Sequence, residues 1–310
     1  MQKLTRWLVA FAVAAAPSEA PLAAQGDPAA LVVRVQGQVD VQHVGSPPYP
    51  ATVGERMFVG DGVLPASGSR AVLITRAGAQ QVVTQRTTIG DPGRGGSADL
   101  FDRALATLAR AAATDATTGG RQGMIRPIPG QTSLVAPRNG LNVSTRRPTF
   151  VWTATPGQRY ELMLRRVDGE RPEVFDVGAD TVWTLPAGTP DLDGDAVYQW
   201  TVFVGGRQGG RALPTQEFRV IGLEESVELE DYLEEIQVFG LDPAGDGLFL
   251  TVVAFRDMEL FYDAREALEG VEAVAGLSWE LYRLKGEILA ELGHEVEARA
   301  ALDRADALAR

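Results

Sequence analysis

The last sixty residues of the chain repeat themselves at a spacing of 34. Leu248, Val252, Phe255, Ala264, Leu268 and Val271 are matched, each thirty-four positions on, by Tyr282, Gly286, Leu289, Ala298, Leu302 and Ala305. Within each half the apolar positions fall four and three apart, which predicts two helices joined by a turn, repeated once. Such a unit cannot bury its apolar face alone, so it stacks on neighbours and leaves a surface suited to another protein. The tail therefore points to interaction rather than catalysis. Its large apolar side chains Tyr232, Phe255, Tyr282 and Leu302 are the candidate partner-binding residues.

On those residues the segment 223–310 resembles the tetratricopeptide repeat family. Gly286 lets paired helices approach, Leu289 fills their seam, and Gly293-His294 turns the chain. The first repeat departs from the pattern, with Val252 where the family has a small residue and Glu259 where it has glycine. An acidic helix over Glu224–Gln237 precedes the repeats, with Val227, Tyr232, Leu233 and Ile236 as its apolar stripe. Two repeats are fewer than the three usually needed, so the array is expected to dock on the sandwich, pair with itself or accept a partner's helix.

Charge follows the same division. From Gly222 to Arg310 there are 22 acidic and 7 basic residues, a net of −15 against −12 for the whole chain, leaving +3 for the preceding residues. The acidity belongs to the tail, either as a solvated face or as a surface selecting a basic partner. Nucleic acid is excluded as a partner, because phosphate contact needs clustered Lys and Arg.

The N-terminus has a different logic. Lys3 and Arg6 precede an apolar run from Trp7 to Ala16, followed by Pro17 and Pro21-Leu22-Ala23-Ala24, the order of a secretory signal peptide over 1–24. About 20 apolar residues are needed to span a bilayer as a helix. The run is shorter than that, so after cleavage no transmembrane anchor is expected. With 0 cysteines, the exported chain must hold itself together by cores alone, which suits a bacterial periplasm or cell envelope.

Between leader and tail, two β segments are expected. Over 31–92, apolar alternation in Leu31–Val35, Val39–Val41, Ala71–Ile74 and Gln81–Val83 is punctuated by Gly37, Gly54, Gly60-Asp61-Gly62, Gly68 and Gly78, giving short antiparallel strands with tight turns. The order of these strands and glycines, with Thr52-Val-Gly54, Phe58-Val-Gly60-Asp61 and Ser69–Leu73, resembles the FecR-type β domain. Only six residues precede the apolar run, too few for that family's cytoplasmic anti-sigma segment. The resemblance thus implies a stand-alone envelope β domain. A helix over 97–113, with Ser97 as N-cap and Phe101, Leu105, Leu108 and Ala112 on one face, is expected to lie against it, and 114–131 reads as a linker. Over 132–221, strands at Pro148–Trp152, Tyr160–Leu164, Thr181–Leu185, Tyr198–Val202 and Glu217–Val220 resemble an immunoglobulin or fibronectin type III sandwich, with Trp152 and Trp200 in its core. The fold class is multidomain β plus α: an antiparallel FecR-like β domain, an immunoglobulin-like sandwich, and C-terminal TPR-like hairpins.

Catalytic and cofactor motifs are offered and declined. The 2 histidines, His43 and His294, fall in a strand and a helical turn, far from making a metal pair or a triad. Asp191-Leu-Asp193-Gly-Asp195 lacks the glycine and glutamate of an EF-hand loop, so turn chemistry suffices, with weak calcium binding the alternative. Gly93-Arg-Gly95-Gly-Ser-Ala98 satisfies a loose dinucleotide motif, but a polar linker follows its helix where a second parallel strand is needed. Asn142-Val-Ser144 is a formal glycosylation sequon, incidental in a bacterial chain. The expectation is a non-enzymatic scaffold without metal or cofactor that binds a protein or itself through its tail. A glycan or peptidoglycan binding module is the alternative, with Trp183 as the candidate stacking residue and the repeats as a spacer.

Overall fold

The computed structural model describes residues 26–92, 99–113, 132–138, 140–169 and 171–309. The leader at 1–24, the glycine motif at 93–98 and the linker at 114–131 lie outside the described residues. Several antiparallel sheets are followed by a helical region, so the chain is a β plus α multidomain protein.

The first β unit has eight short strands in two sheets. β1 (Ala30–Gln36), β4 (Arg56–Met57), β6 (Arg70–Thr75) and β7 (Gln80–Val83) form one, in the order β4-β1-β6-β7. β2 (Val39–Gln42), β3 (Tyr49–Pro50), β5 (Gly62–Pro65) and β8 (Thr87–Thr88) form the other, in the order β3-β2-β5-β8. The alternation read in the sequence holds for β2, where Val39 and Val41 are buried and Asp40 and Gln42 less so. It fails for β1 and β6. Leu31, Val32 and Val33 are all buried, as are Ala71 through Ile74. A strand buried on both faces loses its polar alternation, and here helices cover the face that the second sheet does not.

α1 (Asp99–Ala113) is not laid principally against the β unit, where the sequence put it. Its principal contacts are with α5 (Trp279–Glu291) and α3 (Leu248–Asp257), far along the chain. Leu100, Phe101, Ala104, Thr107, Leu108 and Ala111 form its buried face. A helix with seven-residue returns of this kind needs a continuous apolar partner, and the helical tail supplies it.

The sandwich starts at Leu134. β9 (Leu134–Ala136), β11 (Thr149–Trp152) and β14 (Val182–Thr184) make a three-stranded sheet in the order β14-β11-β9. Opposite it run β10 (Leu141–Val143), β17 (Gln216–Val220), β15 (Ala196–Val204), β12 (Tyr160–Arg166) and β13 (Glu173–Gly178), in that order, with β16 (Arg211–Ala212) beside β15. β10 pairs parallel with β17, and the other pairs are antiparallel. Trp152 and Trp200 lie in the core between the sheets, as expected, and Trp200 donates its indole N–H to the Pro137 carbonyl at 2.8 Å.

The tail comprises α2 (Leu223–Val238), α3, α4 (Phe261–Glu272), α5 and α6 (Glu295–Leu308). The 34-residue echo is written into the backbone. Leu260 and His294, thirty-four apart, open α4 and α6 with φ, ψ of −85°, 61° and −86°, 61°. The residues before them, Glu259 and Gly293, both take positive φ, 57° and 73°. Glutamate therefore does the turn's work where the repeat has glycine, at the steric cost of a left-handed non-glycine residue. Gly286 keeps α5 and α6 close, since a Cβ there would stand 2.6 Å from Leu302. α3 is buried nearly all round, Phe249 to Ala254 without a break, as a central helix must be.

Two main cores result. One joins the first β unit, α1 and the helices; the other belongs to the sandwich.

Candidate functional surface

The four candidate partner residues do not share one fate. Tyr232 is buried on α2 beneath the Arg103 guanidinium of α1, 5.0 Å from the ring centroid. Phe255 and Tyr282 are half-buried and pack against the same core as α1. Leu302 stands apart, in the seam between α5 and α6 opposite Gly286. The inward side of the hairpins is thus occupied by the chain itself. Arg110 of α1 pairs with Asp257 at 2.7 Å, and the buried Thr107 hydroxyl reaches the same carboxylate at 3.2 Å. Periodicity within α1 shows a sticky face, but nothing local in the sequence says which distant helices it meets.

The outer face of α6 is largely polar, with Arg299, Asp303 and Arg304 exposed, so the last hairpin ends in a solvated surface. α2 carries the more pronounced feature. Its sixteen residues hold seven acids, Glu224, Glu225, Glu228, Glu230, Asp231, Glu234 and Glu235, and no base. Glu225 is committed to Arg219 of the sandwich and to the Gly222 amide. Glu224, Glu228, Glu230, Asp231 and Glu234 are exposed and make no ion pair among the described residues. Glu224 and Glu228, Glu230 and Glu234, and Asp231 and Glu235 stand four apart, and each such like-charge pair costs a helix about 0.2–0.5 kcal/mol. Acids in the first turn suit the helix dipole, but Glu234 and Glu235 near its end oppose it. Leu223, Val227 and Val238 are exposed on the same helix.

A concave feature lies where the sandwich meets α4. It is a cleft of about 250 Å³ lined by Pro137, Arg147, Tyr262, Asp263, Arg265 and Glu266 among others. The Tyr262 hydroxyl donates to the Val135 carbonyl at 2.8 Å, and Arg138 donates to the Leu292 carbonyl at 2.9 Å. Asp263 accepts from the Ser144 hydroxyl at 2.6 Å through Oδ1, while its buried Oδ2 has no hydrogen-bond partner. Burial raises its pKa, opposed by the Ser144 hydrogen bond. Arg147 and Arg265 are already engaged, with Asp191 and Glu269.

The histidines stand in separate settings. His43 lies between Asp61 and Glu55 in the first β unit, and His294 beside Arg265 and Glu297 at the last helical turn. The three aspartates of the 191–195 turn pair with arginines, Asp191 with Arg147, Asp193 with Arg166 and Asp195 with Arg219. No group of three or more metal-ligating side chains occurs among the described residues. Trp183 does not present a free ring: it stacks obliquely on Phe175 at 4.6 Å and lies 5.8 Å from Phe150. Among the described residues no helix is long and apolar enough to cross a membrane.

No sequence family matches the chain, and no curated protein does. Solved structures with partial likeness include a "Cell surface anchoring domain", at 18% identity and a TM-score of 0.22, covering 23% of this chain and 100% of that one. The FN1-FN3 domains of chicken CNTN1 align over 63% of this chain and 65% of theirs, at 7% identity and a TM-score of 0.22. A β-1,2-glucanase from Parabacteroides distasonis aligns over 90% of this chain and 49% of its own, at 11% identity and a TM-score of 0.23. Likenesses of that size carry no argument about function.

Proposed function

We propose that this is an exported, non-enzymatic protein of the bacterial cell envelope that recruits a basic protein partner through its helical tail. In this reading the tail is TPR-like, the middle segment immunoglobulin- or fibronectin-like, and the first β unit FecR-like. The duplicated hairpin turn thirty-four residues apart supports the first assignment. The strand orders β14-β11-β9 and β10-β17-β15-β12-β13, with β10 parallel to β17, support the second. Two small antiparallel sheets with glycine turns agree with the third.

One observation carries the functional reading: α2 keeps five exposed, unpaired carboxylates on one helix although their mutual repulsion weakens it. A surface held at that cost gains its compensation when cations cover it, and a protein rich in Lys and Arg supplies them. The exposed Leu223, Val227 and Val238 add apolar contact beside the charge. Zero-length carbodiimide cross-linking in native envelopes tests this directly, since it joins carboxylates to partner lysines. The expected links map to Glu224–Glu234 and disappear when the five exposed acids are changed to Gln or Asn. Links that map elsewhere, or persist in the neutral variant, refute the reading.

A further inference from the structure

The loop from Tyr49 to Phe58 is where the first β unit grips the helices. Val53 forms a single rung of parallel pairing with Leu277: its N–H donates to the Gly276 carbonyl and its carbonyl accepts from the Ser278 N–H, both at 3.0 Å. Val53 and Leu277 are buried, and Arg56 reaches the buried carboxylate of Glu280, in the first turn of α5, at 3.4 Å. Gly54 takes φ of 86° beneath Ser278, where a Cβ would lie 2.8 Å from the serine hydroxyl.

Behind this loop stands a small charged network. Glu55 accepts from the Tyr49 hydroxyl at 2.9 Å and the Thr52 hydroxyl at 2.7 Å, both within the loop. Asp61, 1% exposed, accepts from the amides of Val44 at 3.1 Å and Phe58 at 2.7 Å, pinning the far end of the loop. His43 bridges the two acids, with Nδ1 2.7 Å from Asp61 and Nε2 3.7 Å from Glu55. Its ring lies beside those of Tyr49 and Phe58, 5.7 and 6.0 Å between centroids. The groups facing it are thus Asp61 and Glu55, with Arg56 and Glu280 beyond them on the loop and α5.

We propose that His43 is a proton-operated latch: protonated, it holds the Tyr49–Phe58 loop against the start of α5, and on losing its proton it releases that seam. With the imidazolium present, the three carboxylates Glu55, Asp61 and Glu280 face two cations, His43 and Arg56. Without it they face one. The Glu55 carboxylate beside it raises the pKa of His43 above 6.5, burial opposes this, and the hydrogen-bonded Asp61 adds to the rise. A histidine whose folded pKa is raised contributes stability that is complete below 6.5 and fades as pH climbs through the folded value. Burial also raises the pKa of Glu280 above 4.5, so ionisation of that carboxylate weakens the seam in the same direction as pH climbs. Loss of the latch frees the rung at Val53 without touching the sandwich.

Hydrogen exchange of the full chain at about pH 5.5 and about pH 8, corrected for intrinsic exchange, reads the seam at residues 49–58 and 274–281. Strands β12 and β15 serve as the internal reference. Protection of the seam is expected to fall at the higher pH, by up to about tenfold for each unit by which the folded pKa exceeds 6.5. The reference strands should not follow it. His43→Gln is expected to flatten the response. The imidazole NMR signals of the wild type supply an independent readout: His43 should titrate above 6.5, while His294, whose pKa burial lowers, should titrate below it. Seam protection independent of pH, an unchanged response in His43→Gln, or a His43 midpoint at or below 6.5 overturns the proposal.

Discussion

Truncation of Phe101 on α1 separates the two cores experimentally. The ring is fully buried, in the cluster that includes the first β unit, α3 and α5 and draws only Leu141 from the strands of the sandwich. Phe→Ala at such a site removes about 3–5 kcal/mol, combining lost transfer energy with the cavity left behind. That corresponds to roughly a 150- to 4,000-fold shift in the unfolding equilibrium, at about 1.4 kcal/mol per tenfold change. With a urea dependence of about 1–3 kcal/mol/M, the midpoint should move by at least about 1 M. Spectroscopy can tell the cores apart, because three of the 5 tryptophans, Trp152, Trp183 and Trp200, sit in the sandwich while far-UV ellipticity at the helical minimum reports the tail. Phe101→Ala should shift the ellipticity transition and leave the sandwich component of fluorescence in place. Coincident shifts of both probes would mean a single cooperative unit. A loss below about 1 kcal/mol would mean that α1 is peripheral, and either result defeats the reasoning.

Three other outcomes follow from the geometry. Gly54→Ala forces a left-handed, sterically blocked position beneath Ser278 and should cost about 1–3 kcal/mol, seen as a lower Tm and faster exchange at residues 274–281. Trp200→Phe leaves the Pro137 carbonyl without its indole donor and should destabilise the sandwich by about 1–3 kcal/mol while the ellipticity midpoint stays fixed. Asp263 has its pKa raised by burial, so its favourable contribution is present below 3.8 and lost as pH rises through the folded value. The Tm of wild type relative to Asp263→Asn should therefore decline as pH rises above 3.8, and a constant difference would contradict the assignment.

What could be read in advance depended on how far apart the cooperating residues lie. The 34-residue echo is local chemistry at fixed spacing, and it foretold α3 to α6 because each hairpin uses its own apolar positions. Trp152 and Trp200 were legible as core for the same reason, through alternation within their strands. Glu259 hid its turn, because a glutamate in a left-handed conformation carries no sequence signal of the kind glycine gives. α1 displayed a face but not an address, and the double-sided burial of β1 depends on a helix more than two hundred residues away. His43 looked like an isolated strand residue, since Glu55 and Asp61 are brought to it only by the folding of the loop between them.

The first β unit and the helices share a core across a stretch of chain in which the sandwich is encoded. As the polypeptide lengthens from its N-terminus, β1 to β8 are therefore complete long before α3 and α5 exist to cover them. The sandwich has all its strands by Val220 and can settle at once. Leu31 to Val33 and Ala71 to Ile74 have to wait, with one sheet face bare. Such exposed strands are prone to mispairing while they wait, so the interval before the last helices arrive is when this chain is most in need of protection.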